Sequence, residues 1–318
     1  MLIRDAVGIE HVAETNSMAS RITVRLVSDA TAADAERHLS NALQVFHDVD
    51  RTCTRFDASS DLMRANAHGD EWTTVSSYCF DALTEAYAAY RRTFGRFDPR
   101  VLADLVRLGY DRSLKHAAPS YRDSAALIPR MTLPDWRPEF RRASSEVRVG
   151  PVPIDLGGIG KGLAVRWAAD HLHGGLGSLV EAGGDCSCRG VAADGQPWRV
   201  GVEDPEDPTQ PIAVLEVRDA AVATSSVRVR SWQIAGHDVH HLIDPRSGLP
   251  GGEGLAAVTV IDTDPAAAEV ASKTLFLTGR RGVRTTAEHL GLAALWIDDN
   301  GVIEWSRALA PSLVWSRP

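Results

Sequence analysis

The chain has 318 residues, 44% of them hydrophobic, and its 34 Lys and Arg against 42 Asp and Glu give a formal net charge of −8. That length supports one large core or two modest ones. The acidic balance argues against an extended nucleic-acid interface while leaving room for a small anion held by a local cluster of donors. No run approaches the roughly 20 apolar residues of a membrane-spanning helix. Residues 1–20, interrupted by Arg4, Asp5, Glu10 and Glu14, lack the apolar core of a secretory signal, so a cytoplasmic setting is expected.

In chain order, residues 21–27 alternate and predict a strand. Residues 31–49 place Ala35, Leu39, Leu43, Val45 and Phe46 at helical spacing, with Thr31 as N-cap. Helices are also predicted over 60–66 and 76–94. Residues 117–145, rich in Pro, Arg and Ser and without periodicity, read as a surface connection or insertion. Beyond residue 147 strands dominate: 178–181, 187–191, 198–202, 212–217, 227–234, 238–243 and 256–261, followed by a helix over 264–277. Turn signals at Ala193-Asp194-Gly195 and Ala235-Gly236-His237 favour antiparallel pairing. The mixture predicts an α+β fold, antiparallel-rich sheets with flanking helices. A single domain over 1–318 is expected, divisible into a helical part (1–115), an irregular connection (116–146) and a strand-rich part (147–318). Cys53, Cys79, Cys186 and Cys188 have no zinc-ligand spacing and read as ordinary thiols; Cys186 and Cys188 point to one face of a strand.

Residues 155–162 read Asp-Leu-Gly-Gly-Ile-Gly-Lys-Gly, with an amphipathic run over 163–172 directly after. Glycines let backbone N–H groups approach a ligand where a Cβ would collide. A helix starting just beyond them would aim its positive end at an anion, and Lys161 adds a point charge. The segment points to phosphate or nucleotide. Leu163 stands where a Walker A loop needs Ser or Thr, and Gly157-x-x-Gly160-x-Gly162 lacks the dinucleotide offsets. A structural turn remains the alternative.

Four further pieces follow. Glu181-Ala182-Gly183-Gly184-Asp185 sets an acid after a glycine pair. Val222-Ala223-Thr224-Ser225-Ser226 places hydroxyls after a short apolar strand. His240-His241-Leu242-Ile243-Asp244-Pro245-Arg246-Ser247-Gly248 combines imidazoles with a turn, and the helix over 264–277 carries Glu269 and Lys273. Each has a plainer reading. Asp244 to Gly248 forms an ordinary turn. His240 and His241 lie on opposite faces of a strand, so at most one meets a given site. Glu269 and Lys273, at i,i+4, form a surface ion pair.

In this order the motifs resemble the ApbE family of FAD:protein FMN transferases, over most of the chain to Gly279. Ser60-Asp61-Leu62-x-Arg64-x-Asn66 and Thr93-x-Gly95-Arg96-Phe97-Asp98-Pro99 precede the glycine segment. Ala182-Gly183-Gly184-Asp185, Ala223-Thr224-Ser225 and His241-Leu242-Ile243-Asp244-Pro245-Arg246-x-Gly248 follow it. The resemblance implies a T-fold-like architecture. It also implies an enzyme that splits the pyrophosphate of FAD, moves FMN onto a Ser or Thr hydroxyl of an acceptor flavoprotein and releases AMP. Two alternatives stay open: an FAD-binding protein without transfer activity, and an FAD pyrophosphatase yielding FMN and AMP.

Carried over by residue, the resemblance assigns the FAD pocket to Met18, Phe56, Arg96, Phe97, Asp98, Gly157, Leu163, His241 and Leu242, with Lys161 and Thr224 as further contacts. His241 is the candidate for proton transfer or for donation to a phosphate oxygen, Asp244 for orienting His241 or the substrate, or for capping the turn. The family's Mg²⁺ site falls on the Gly160 carbonyl and on Glu269 and Lys273, where the family carries Asp and Thr. A protonated ammonium ligates no cation. Either Lys273 stands in the cation's place, joining the catalytic set, or it turns aside and Glu269 keeps Mg²⁺. Other departures are Met18-Ala19-Ser20 for Met-Gly-Thr, Phe56 for Tyr, Ser226-Val227-Arg228 for Gly-Asp-Tyr, Arg166 for Asp and Glu181 for Asn.

Overall fold

Eight strands form one antiparallel sheet whose spatial order follows their order in the chain: β1 Ile9–Ser17, β2 Ser20–Ser28, β3 Gly177–Ala182, β4 Asp185–Gly190, β5 Ala220–Ser226, β6 Leu255–Asp262, β7 Ala293–Asp298 and β8 Ile303–Trp305. Every neighbouring pair is antiparallel. The computed structural model describes residues 8–112, 124–207, 209–228 and 230–317. Between β2 and β3 lie α1 Ala32–Cys53, α2 Asp61–Ala67, α3 Ser77–Arg92, α4 Leu102–Arg107 and α5 Gly160–Ala169; between β6 and β7 lie α6 Pro265–Phe276 and α7 Gly279–Leu290. The fold is α+β, antiparallel sheet with flanking helices.

Alternation along the strands divides the sheet into two buried faces. Ile22, Val24, Leu26, Val180 and Ala182 pack against Leu39, Ala42 and Phe46 of α1 and Leu163, Ala164 and Ala168 of α5. On the other face Leu179, Cys186, Cys188, Val222, Leu295 and Ile297 pack against Trp198, Val202, Ile212 and Leu215. These last come from a three-stranded sheet of Trp198–Glu203, Pro211–Val217 and Leu313–Ser316. The sheet is therefore a middle layer, and each large side chain it buries contributes about 1.5–3 kcal/mol. Helix starts are set locally. Thr31, Ser60, Ser76 and Asp264 accept from the backbone N–H of Asp34, Met63, Cys79 and Ala267, each cap contributing about 1 kcal/mol.

Several elements differ from the sequence reading. The strand expected over 227–234 is shorter: β5 ends at Ser226 and the next strand is Ser231–Ile234, which pairs with His237–His240 across the Ala235-Gly236 turn. The strand expected over 238–243 stops at His240, so His241 lies beyond it rather than on its opposite face. Of the expected irregular connection, residues 117–123 lie outside the described residues. The rest is anchored: Glu139–Arg141 pairs with Glu146–Arg148, and the buried Trp136 donates its Nε1–H to the Val149 carbonyl at 2.9 Å. All four cysteines are free and buried, with Cys186 and Cys188 sulfurs 4.0 Å apart on one face of β4. Among the described residues no helix is long and apolar enough to cross a membrane.

Candidate active site

A cleft of about 380 Å³ opens where the tips of several elements meet. Its walls are the β1–β2 turn (Met18, Ala19), the end of α1 with the following Arg55 and Phe56, the segment Arg96–Pro99, the glycine turn before α5, Arg230 and His241, and Lys273 on α6. Volumes of roughly 300–1,000 Å³ are usual for small-molecule sites. Five cationic side chains line it (Arg55, Arg96, Lys161, Arg230, Lys273) against three anionic ones (Asp50, Asp98, Asp155). A chain of net charge −8 thus concentrates positive charge in its cleft.

The glycine turn is built for close approach, not for left-handed backbone; none of Gly157, Gly158, Gly160 or Gly162 has positive φ. A Cβ on Gly157 would stand 2.7 Å from Asp155 Oδ1, and one on Gly158 would stand 2.9 Å from Phe97 Cε2 and 3.1 Å from Lys273 Cε. A Cβ on Gly162 would meet the Pro265 carbonyl at 2.6 Å and Ala266 Cα at 2.7 Å, both backbone. Helices α5 and α6 therefore touch main chain to main chain. Gly162→Ala is expected to cost about 1–3 kcal/mol by forcing them apart, measured as a lower urea midpoint with unchanged m.

Helix α5 starts at Gly160 rather than beyond the glycines, and one donor of its first turn is already taken. Gly162 N–H donates to Glu269 Oε2 at 2.8 Å, so the protein's own carboxylate takes the place foreseen for a ligand anion. Glu269 is 3% exposed, not a surface group. Burial raises its pKa, opposed first by the Lys161 charge. Lys161 pairs with the buried Asp185, which also accepts from Thr224 N–H at 3.2 Å. Burial lowers the pKa of Lys273, against the pull of Glu269. Among the described residues the Lys273 ammonium has no hydrogen bond and no ion pair within 4.0 Å.

On the opposite wall Arg55 lies between two rings, its guanidinium carbon 4.2 Å from the Phe56 centroid and 4.3 Å from that of Tyr110. Its Nε meets Asp155 Oδ2 at 2.7 Å and its Nη1 the Tyr110 carbonyl at 2.7 Å, while Nη2 is buried without a partner among the described residues. Asp155 in turn accepts from Gly157 N–H, tying this wall to the glycine turn. The β1–β2 turn holds Met18 and Ala19 at φ 50° and 57°, a conformation costly for non-glycine residues. Asp50 pins it through Met18 N–H at 3.0 Å. Ala19→Gly is expected to stabilise the protein by about 1 kcal/mol, read as a higher urea midpoint.

His241 lines the cleft with Nδ1 buried and unpartnered among the described residues. Burial, then the charges of Arg230 and Lys273, hold its pKa well below the ordinary 6.5, so it is neutral at physiological pH. Burial also lowers neighbouring His240 to about 4; its Nδ1 accepts from Leu242 N–H at 3.2 Å. The unfolded chain binds protons on these imidazoles near pH 6.5, whereas the folded one does not until lower pH. Stability from His240 is therefore complete above about pH 6.5 and declines toward pH 4, by about 3 kcal/mol in full. His240→Asn, which keeps an acceptor for Leu242, is expected to flatten that decline in acid urea titrations.

The family model described as "ApbE family" matches residues 18–296. The chain belongs to the ApbE family. Among similar proteins, the FAD:protein FMN transferase of Salmonella typhimurium is 29% identical over 299 residues, covering 88% of this chain and 81% of that one. The FAD:protein FMN transferase of Treponema pallidum is 27% identical over 297 residues, covering 86% and 80%. The fold is shared with the ApbE protein of Thermotoga maritima (TM-score 0.80, 24% identity, 98% of this chain and 100% of that one). It is shared too with the flavin transferase ApbE of Vibrio cholerae (TM-score 0.76, 24% identity, 96% and 100%).

Of the residues singled out in the sequence of this ApbE-family chain, Met18, Phe56, Arg96, Phe97, Asp98, Gly157, Gly160, Lys161, His241 and Lys273 meet at the cleft. The others stand behind it. Leu163 and Leu242 are core residues, and the Thr224 hydroxyl bonds that of Thr259 at 2.9 Å. Asp244 pairs with Arg246 at 2.7 Å and caps the turn, and Glu269 lies under the glycine turn. Asp98 lines the cleft but binds Arg100 through both oxygens, at 3.0 and 2.7 Å. Arg55, Tyr110 and Arg230 were not foreseen. Arg55 adjoins the anticipated Phe56, but nothing local marks Tyr110 or Arg230, which reach the cleft only through tertiary packing.

Proposed function

We propose that this chain transfers FMN from FAD to a Ser or Thr hydroxyl of an acceptor flavoprotein, releasing AMP. The observation that carries the reading is the cleft itself: an excess of cations suited to a diphosphate, aromatic rings suited to a flavin or adenine, and a neutral imidazole at the same mouth, in a chain of the ApbE family. The acceptor hydroxyl oxygen attacks the FMN phosphorus, its bond to the bridging oxygen breaks, and AMP departs with that oxygen. His241, uncharged before the reaction, takes the hydroxyl proton. Its low basicity rises once the bound diphosphate offsets Arg230 and Lys273, two of the charges that depress it. Arg55, Phe56 and Phe97 hold the ring system, and Arg96 and Arg230 face the phosphates.

Mg²⁺ is the family's expected cation, and the donor set here does not suit it. Of the two side chains at its place, Lys273 is a cation and Glu269 already accepts from Gly162. The neighbouring Thr274 hydroxyl is turned onto the Val270 and Ala271 carbonyls at 3.0 and 3.1 Å. Among the described residues no group of three or more His, Cys, Asp and Glu is arranged to hold a metal. The four free, buried thiols agree with a reducing, cytoplasmic setting, which requires the acceptor's hydroxyl on that side.

Incubation with FAD and an acceptor flavoprotein tests the function. Flavin fluorescence that stays with the acceptor through denaturing electrophoresis, with stoichiometric AMP, is the expected result. FMN and AMP released without labelling, or FAD recovered intact, counts against it.

A further inference from the structure

We propose that the Lys273 ammonium replaces a divalent cation at the diphosphate in this chain, so that FAD is bound without metal; the inference rests on the FAD reading of the cleft. Two ammoniums that line the cleft, Lys161 and Lys273, have two buried carboxylates behind them, Asp185 and Glu269. Lys161 is paired with Asp185, and Glu269 receives the Gly162 N–H. Lys273 is left with no hydrogen bond or close ion pair among the described residues while lining the cleft. Its stem passes where a Gly158 Cβ would be, 3.1 Å from Cε, so the glycine turn is shaped to let this side chain through. The cluster is neutral as it stands. A dication beside Glu269 would face the charges of both lysines, which already act on that carboxylate. A diphosphate instead supplies the anionic partner that Lys273 lacks, and its charge offsets the desolvation that lowers the lysine's pKa. Lys273 stays protonated throughout the transfer. It neutralises non-bridging oxygens while the bond to AMP breaks, and the hydroxyl proton goes to His241.

The test is FAD binding to the full chain, followed by quenching of flavin fluorescence, in EDTA and in excess Mg²⁺. Phosphorus NMR of bound FAD with added Mn²⁺ gives a second readout. Wild type is expected to bind FAD with a Kd that differs by no more than about 2-fold between the two conditions, and Mn²⁺ is expected to leave the bound diphosphate resonances unbroadened. Lys273→Met is expected to raise Kd at least about 30-fold in both conditions, with Lys273→Arg recovering most of the loss. Binding that needs Mg²⁺, or diphosphate resonances broadened by Mn²⁺ in wild type, overturns the proposal while leaving the FAD reading intact. No FAD binding under either condition overturns both. The wild-type measurements decide the matter even if the Met variant fails to fold.

Discussion

His241→Ala is expected to lower the turnover rate of flavin transfer by about 10²–10⁴-fold, the usual worth of a positioned proton acceptor, with little change in FAD affinity. The side chain is uncharged because it is buried and faces Arg230 and Lys273. Removing a neutral ring takes little attraction away from a diphosphate but leaves the acceptor hydroxyl with no place for its proton. Rate and affinity must therefore separate, and gel fluorescence of the labelled acceptor together with FAD titration measures both. A comparable loss in affinity assigns His241 instead to donation toward a phosphate oxygen. The wild-type rate should fall on the acid side as the ring protonates, and that limb should vanish in the variant.

Arg55→Met is expected to destabilise the fold by about 3–5 kcal/mol, because it strands the Asp155 carboxylate in a buried site. The two side chains are 6% and 8% exposed and 2.7 Å apart, so water cannot compensate. For a chain of this size the thermal midpoint should drop by roughly 5–8 °C. Adding Asp155→Leu should restore most of the stability, since an apolar pair of similar volume often replaces a buried ion pair without loss. The double variant should still bind FAD poorly, having lost the guanidinium between Phe56 and Tyr110. Full recovery of FAD binding would show that Arg55 serves only the fold.

Elements governed by local rules were legible in the sequence. Thr31 caps α1 as its hydroxyl and position require, and β2 was visible from its alternation. The antiparallel hairpin at Ala235-Gly236 likewise follows from its turn residues. What depended on distant partners was not legible. Residues 220–226 form a full sheet strand although five of the seven are Ala or Ser, because neighbouring strands on both sides pair with them. The Pro- and Arg-rich segment after α4 is held by Trp136 among Tyr87 and Tyr90, contacts that no periodicity announces. Glu269 and Lys273 had a helical spacing that fits a surface pair equally well, and only the packing of α6 against α5, β5 and β6 buries Glu269 and turns the half-buried Lys273 to the cleft. The glycine turn was prominent, but its glycines make room for Phe97, Lys273 and α6, and its helix end belongs to Glu269.

Because a carboxylate of the chain already takes the Gly162 N–H in the first turn of α5, that main-chain donor does not turn to a diphosphate. The welcoming charges sit instead on long side chains such as Arg96, Arg230 and Lys273, each losing about 0.5–1.5 kcal/mol of rotational freedom when fixed. Capture should accordingly be enthalpically driven, entropically opposed and steeply weakened by salt, with order at the mouth arriving together with its guest.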